Sequence, residues 1–207
     1  MNSKPPPFPP GPPRNSLDRR RALLIALAVI PAGMFGVLIS FRLLGLICPY
    51  SIPTESMGPA VSAGDHIMME NIAYLFRQPR RGDVVVFKTH GIEKLPDNTL
   101  YVKRVVGIPG EHVLLAGGQL FINSRLTIIS NDFGEITYPV PSYPKIYMQV
   151  QPDLQTNLTV PDGCYFLVGD RATNSFDSRS FGCVPRKNIN GRICFCYWPP
   201  QRIGLVK

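Results

Sequence analysis

Two hydrophobic rhythms divide this chain. From Ala22 to Phe41 the residues are uncharged and mostly apolar, and a helix of that length rises about 30 Å, the thickness of a bilayer's hydrocarbon core. Pro31 and Gly33 inside the run are tolerated in a spanning helix, whose backbone cannot escape to water. Past residue 42 the pattern breaks into short alternating segments bounded by turn residues, the mark of β structure. Strands are expected at His66–Glu70, Val84–Lys88, Thr99–Val106, His112–Leu115, Gln119–Ile122, Tyr165–Val168 and Arg192–Tyr197. Turns between them are marked by Arg81-Gly82-Asp83, Pro109-Gly110, Gly117-Gly118 and Pro161-Asp162-Gly163. A short helical segment is expected at Asn71–Phe76. Residues 125–160, rich in Pro, Ser, Tyr and Asn, read as an insertion or long hairpin on the rim. The expected class is mostly β behind one N-terminal transmembrane helix.

Composition sharpens the N-terminal part. Seven prolines in the first thirteen residues deny the backbone the donors and torsions a helix needs. Residues 1–21 are therefore expected to form a disordered, Pro-rich and basic tail, 22–41 an anchor, and 42–207 a domain on the far side of the membrane. A cleavable secretory signal also begins with positive charge and an apolar stretch. Here the apolar core is too long, and Arg42-Leu43-Leu44-Gly45-Leu46-Ile47 continues it without a small-x-small cleavage site. Arg19-Arg20-Arg21 before the span puts the N-terminus in the cytoplasm by the positive-inside tendency. Leu43, Leu44, Leu46 and Ile47 form an apolar patch suited to contact with membrane lipid.

The formal charge of +8 suggests a nucleic-acid partner until it is divided along the chain. Residues 1–42 hold six Lys/Arg against Asp18, a net +5, and the other 165 residues carry 16 basic and 13 acidic side chains, a net +3. A weakly basic domain without a concentrated Lys/Arg face is not expected to bind nucleic acid. Five cysteines, Cys48, Cys164, Cys183, Cys194 and Cys196, leave at least one unpaired; a Cys164–Cys183 bridge stays open, and Cys194 and Cys196 read as small core residues. No phosphate-cradling glycine loop, paired-carboxylate spacing or zinc pattern is present, and no cofactor or metal is expected.

Candidate chemistry rests on polar residues that interrupt apolar segments. In Leu100-Tyr101-Val102-Lys103-Arg104-Val105-Val106 the period of two puts Tyr101 and Lys103 on one face and Val102 and Arg104 on the other. Taken alone, Lys103 reads as an edge-strand residue reaching solvent. Ser56, after Pro53-Thr54-Glu55, reads alone as an ordinary loop residue. His66, His90 and His112 have no triad-like spacing.

The joint pattern says more. Ile52-Pro53-Thr54-Glu55-Ser56-Met57-Gly58-Pro59, then Gly64-Asp65-His66-Ile67, Arg81-Gly82-Asp83-Val84-Val85-Val86-Phe87, Tyr101-Val102-Lys103-Arg104-Val105-Val106-Gly107-Ile108-Pro109-Gly110-Glu111, and Gly169-Asp170 through Asn174-Ser175-Phe176-Asp177-Ser178-Arg179 to Gly182 follow the anchor in order. This arrangement resembles the type I signal peptidases, membrane-bound serine-lysine endopeptidases that release secretory signal peptides.

The resemblance implies coiled antiparallel sheets, Ser56 as nucleophile and Lys103 as general base. It further implies an oxyanion hole from the Thr54 hydroxyl and the Ser56 backbone N–H, and Ser175 orienting the lysine. Asp177 and Arg179 become a structural ion pair near the site. Tyr50, Ile52, Ile67, Val86 and Val102 become walls of pockets for small side chains. Substrates would be exported precursors bearing signal peptides. Arg171-Ala172-Thr173 departs from the family's usual Asn-Arg pair at that point. Two rivals stay open: a relative specialised for one conjugation or pilus substrate, and a non-catalytic membrane-tethered β-domain that binds a partner.

A lysine base has to lose its charge first. An ordinary amine titrates near 10.4, so bringing it to about 7–8 costs on the order of 3–4 kcal/mol of charged-state stabilisation, which desolvation can supply. Lys103 is therefore expected to be wrapped in apolar surface, with carboxylates kept off its amine.

Overall fold

The computed structural model describes residues 16–116, 119–131, 134–136 and 156–206. The Pro-rich segment up to residue 15, the expected Gly117-Gly118 turn and residues 137–155 of the expected rim insertion lie outside the described residues. Two units make up the chain, residues 1–44 and 45–207.

The described residues of the first unit form one helix, α1 (Ser16–Leu43), with Pro31 inside it. It starts earlier than the run of uncharged residues suggests. Arg19–Arg21 belong to the helix and not to an irregular tail, because beyond Pro13 nothing breaks a helix and Leu and Arg favour one. Within it Leu23–Leu43 is apolar on every side, with mean hydropathy 2.4 and none of the span buried, so it is long and apolar enough to cross a membrane.

The regular structure described in the second unit consists mostly of antiparallel strands. These are β1 (Ile47–Ser51), β2 (His66–Glu70), β3 (Val84–Lys88), β4 (Leu100–Gly107), β5 (His112–Ala116), β6 (Gln119–Ile122), β7 (Arg125–Leu126), β8 (Ile129–Asn131), β9 (Gly134–Ile136), β10 (Thr156–Thr159), β11 (Cys164–Val168), β12 (Val184–Pro185), β13 (Ile189–Trp198) and β14 (Gly204–Leu205). A single helical turn, α2 (Ser178–Phe181), follows β11. A 3-10 turn at Ile72–Leu75 occupies the expected helical segment.

One sheet runs β1-β2-β13-β3-β4-β11-β12, with β14 added to β13; a second runs β10-β5-β6-β7, and β8 pairs β9. The described residues of 125–160 are thus more regular than their composition suggests. Thr156–Thr159 is a strand because it pairs with β5, opposing Leu158 to Val113, and not because of any rhythm of its own.

The main sheet is covered on both faces. Val84 and Val86 enter one cluster with Ile52, Met57, Ile67, Met69 and Ile193. Val85 and Phe87 enter another with Val105, Leu167, Phe181 and Ile189. This explains why Val84-Val85-Val86-Phe87 is continuously apolar: both alternating faces bury. β4 and β11 pass on to a third cluster through Val106, Phe166 and Val168, which meet Val113, Leu115 and Leu120. Any side chain on the inner strands must then be apolar or partnered. Lys103 sits on β4 opposite Val85.

Candidate active site

The loop between β1 and β2 carries Ser56. Its base is closed by backbone pairs, Ile52 N–H to Asp65 O at 2.9 Å and Gly64 N–H to Ile52 O at 2.8 Å. Its tip is folded into two tight turns, Gly58 N–H to Glu55 O and Val61 N–H to Met57 O, both at 3.0 Å. Met57 and Val61 are buried and pin the tip to the core. Ser56 is left half-buried at the turn, facing a cleft.

Lys103 reaches the same point from the sheet. Its Nζ lies 2.7 Å from Ser56 Oγ. The side chain is 3% exposed, and burial pushes the amine from its ordinary 10.5 down to about 8. Asp177 and Asp170 pull the other way and Arg179 assists the drop. Each carboxylate is bound to an arginine. Asp177 accepts from Arg179 Nε and Nη2, both at 2.8 Å. Asp170 accepts from Arg104 Nε at 2.7 Å and Nη2 at 2.6 Å. Two acids beside the amine are thereby held as ion pairs with other partners, and desolvation dominates.

The segment after β11 is fastened at several points. Asp177 also accepts from Gly169 N–H at 3.0 Å, and Ser178 Oγ accepts from Leu167 N–H at 2.9 Å. Arg171 N–H donates to the Ser56 carbonyl at 3.2 Å, tying this segment to the loop that carries Ser56. Arg171 also stands 3.8 Å from the Glu55 carboxylate, an exposed pair of little energetic weight.

The cleft holds about 480 Å³. Ser56 and Lys103 share it with apolar Ile52, Leu100, Tyr101, Val102 and Phe176, and with polar Thr54, Thr99 and Asn174. Of the five expected pocket walls, Ile52 and Val102 line it. Ile67 and Val86 are packed in the core beneath, and Tyr50 packs against that same cluster. Thr54 is exposed and lines the cleft on the same stretch as Ser56. Ser175 is fully buried against Gly169. Cys164, Cys183, Cys194 and Cys196 are free thiols, Cys196 in the core and Cys194 donating to Met68 O at 3.3 Å.

Residues 21–198 match the family model described as signal peptidase, peptidase S26. This chain belongs to that family. It is 38% identical over 159 residues to signal peptidase I of Leptolyngbya laminosa, covering 74% of this chain and 70% of the relative. Signal peptidase IB of Staphylococcus aureus is 30% identical over 164 residues, covering 74% and 79%. Thylakoidal processing peptidase 1 of Arabidopsis thaliana is 36% identical over 162 residues, and the match spans 75% of this chain but only 43% of the plant protein.

Three features of this signal peptidase escape a reading of its periodicity: Gly169, the Arg104–Asp170 pair and the Arg202–Asp65 pair. The Gly-Asp dipeptide marks a turn and nothing more, while its space requirement is explicit in three dimensions. A Cβ on Gly169 would stand 2.2 Å from Ser175 Oγ and 2.5 Å from the Ser56 carbonyl oxygen. Neither atom has room to yield without moving the Ser56 loop or the buried Ser175. Gly169→Ala is expected to lower kcat/KM by at least about tenfold and to cost about 1–3 kcal/mol of stability. Steady-state kinetics and thermal melts of the full chain check both.

Proposed function

We propose that this signal peptidase cleaves signal peptides from exported precursors through a Ser56/Lys103 dyad. The observation that carries the reading is the 2.7 Å approach of Ser56 Oγ to a lysine amine that burial has brought to about 8.

Neutral Lys103 accepts the Ser56 proton as Oγ attacks the scissile carbonyl. The developing oxyanion is held by the Ser56 N–H, with Thr54 contributing its hydroxyl. Protonated Lys103 gives its proton to the departing amine, leaving an acyl-serine. Water then attacks the ester with Lys103 again as base. Ser175 and the Asp177–Arg179 pair hold the lysine and its surroundings in place. The apolar walls Ile52 and Val102 favour small side chains beside the scissile bond, in keeping with an A-x-A-like site.

The apolar helix would hold the enzyme at a membrane, with the arginine cluster before it favouring a cytoplasmic N-terminus. About 14 residues separate the uncharged run from Ser56, so a substrate whose apolar segment lies in the bilayer meets the dyad near the surface. Membrane lipid is thus a partner, and nucleic acid is not.

The test is a pH profile of precursor cleavage by the full chain in detergent micelles. The base is the unprotonated amine, so activity falls as pH drops through the lysine's value. kcat/KM is expected to lose about tenfold per pH unit below a midpoint near 8. A midpoint in the histidine range, or cleavage that persists in Ser56→Ala, contradicts the dyad.

A further inference from the structure

The fork of Arg202 lies in the C-terminal segment beyond β13, past the stretch that matches the family model. Its Nε donates to both carboxylate oxygens of Asp65, at 2.7 and 2.9 Å. Its Nη2 donates to the Pro59 carbonyl at 2.8 Å, with a longer contact of 3.4 Å to that of Ala60. Asp65 is 1% exposed and in turn accepts from the Ser62 N–H at 2.8 Å. A single guanidinium therefore grips the loop that carries Ser56 at two separated places, Asp65 at its base and Pro59-Ala60 at its tip.

We infer that Arg202 is a positioning residue for catalysis: it holds the tip of the nucleophile loop so that Ser56 Oγ stays within reach of Lys103. The inference rests on the dyad reading above. Lys103 is carried by a central strand of the main sheet, covered on both faces. Ser56 is carried by a loop of fourteen residues, Ile52 to Asp65, so the dyad separation depends on that loop. The backbone pairs at Ile52, Gly64 and Asp65 close its base only. Pro59 and Ala60 lie between the arms of the Met57–Val61 bridge, one turn beyond Ser56, and their carbonyls face the guanidinium.

The chemistry explains the choice of arginine. A planar fork reaches a carboxylate and two carbonyls at once, whereas a lysine ammonium is a point charge that satisfies the carboxylate and leaves the carbonyls without a shared donor. Removing the guanidinium also strands the buried Asp65 carboxylate, which then draws water or protons into the loop's base. A displacement of the order of 1 Å at a reacting atom costs roughly 10²-fold in rate.

The experiment uses the full chain in detergent micelles cleaving a synthetic precursor, well below the melting temperature of each variant. Arg202→Ala is expected to lower kcat by the order of 10²-fold with KM within about twofold, because the substrate cleft keeps its walls. The midpoint of the acid limb should move little, since the burial of Lys103 and the charges of Asp170, Asp177 and Arg179 that set it are untouched. Free guanidinium at millimolar concentration should restore kcat in Arg202→Ala by at least about tenfold and leave the wild type unaffected. Arg202→Lys should fall between the two with KM unchanged, and it carries the test if the alanine variant does not fold.

Unchanged kcat in Arg202→Lys and Arg202→Ala overturns the inference. So does a loss that follows the melting temperature and is not recovered by guanidinium, which would make the pair merely structural. Failure of the wild type to cleave the precursor, or cleavage by Ser56→Ala, overturns the dyad reading instead.

Discussion

Lys103→Met is expected to abolish turnover and to raise the melting temperature at neutral pH. The two effects share one cause. Burial holds the amine near 8 instead of 10.5, and at about 1.4 kcal/mol per pH unit the folded protein carries a penalty of about 3 kcal/mol for keeping that group charged. The sign follows from proton counting. Below pH 8 the amine is protonated in both folded and unfolded chains, and the folded state bears the full desolvation cost. Between about 8 and 10.5 the unfolded chain binds the proton more tightly, so stability rises with pH as the penalty is relieved.

Methionine fills the same apolar channel without a charge. At pH 7 the variant should melt several degrees higher than the wild type, and the difference should shrink between pH 8 and 10.5. Cleavage should fall by about 10⁴-fold or more, as it should for Ser56→Ala, because either change removes one half of a unit that works together. The double variant should be no worse than either single one. A Lys103→Met protein that cleaves precursors, or that is less stable than the wild type at pH 7 and equal to it at pH 10, would contradict the argument.

The β architecture was legible where strands alternate or run apolar between clear turns. His66–Glu70, Val84–Lys88 and Gln119–Ile122 have the same bounds in sequence and structure. β1 was not, because Ile47-Cys48-Pro49-Tyr50-Ser51 follows the apolar run without a break and contains a proline. That proline is accommodated because β1 is an edge strand. Alternation also misjudged β4. A strand with Lys103 and Arg104 on opposite faces suggests a solvent edge, yet β4 lies inside the sheet and both residues are buried.

Their partners explain why no local pattern could reveal this. Ser56 comes from 47 residues before Lys103, and Asp170 from 66 residues after Arg104. The Arg202–Asp65 link spans 137 residues. Ion pairs of that range leave no periodic trace, so the pairing of Ser56 with Lys103 was expected from motif order and resemblance, and the Arg104–Asp170 and Arg202–Asp65 pairs were not.

The largest expected loss of stability comes from Asp170→Ala. Arg104 is 1% exposed, and its guanidinium is held by the two oxygens of Asp170 and, through Nη1, by the Gly82 carbonyl at 2.7 Å. Removing the carboxylate strips a buried cation of its counter-charge, which costs about 3–5 kcal/mol. A double change, Arg104→Met with Asp170→Leu, removes both charges together and should cost far less, since apolar replacements of a buried pair are often near neutral.

The two constructions also separate packing from electrostatics at the active site. Asp170 pulls the Lys103 amine upward, so its loss alone should move the acid limb of the pH profile below the wild-type midpoint. Chemical denaturation of the single and double variants reads the first effect, and kcat/KM against pH at a temperature where the single variant is folded reads the second. Equal destabilisation in both variants would mean that packing around Val168 and Arg104, and not the stranded charge, governs this part of the sheet.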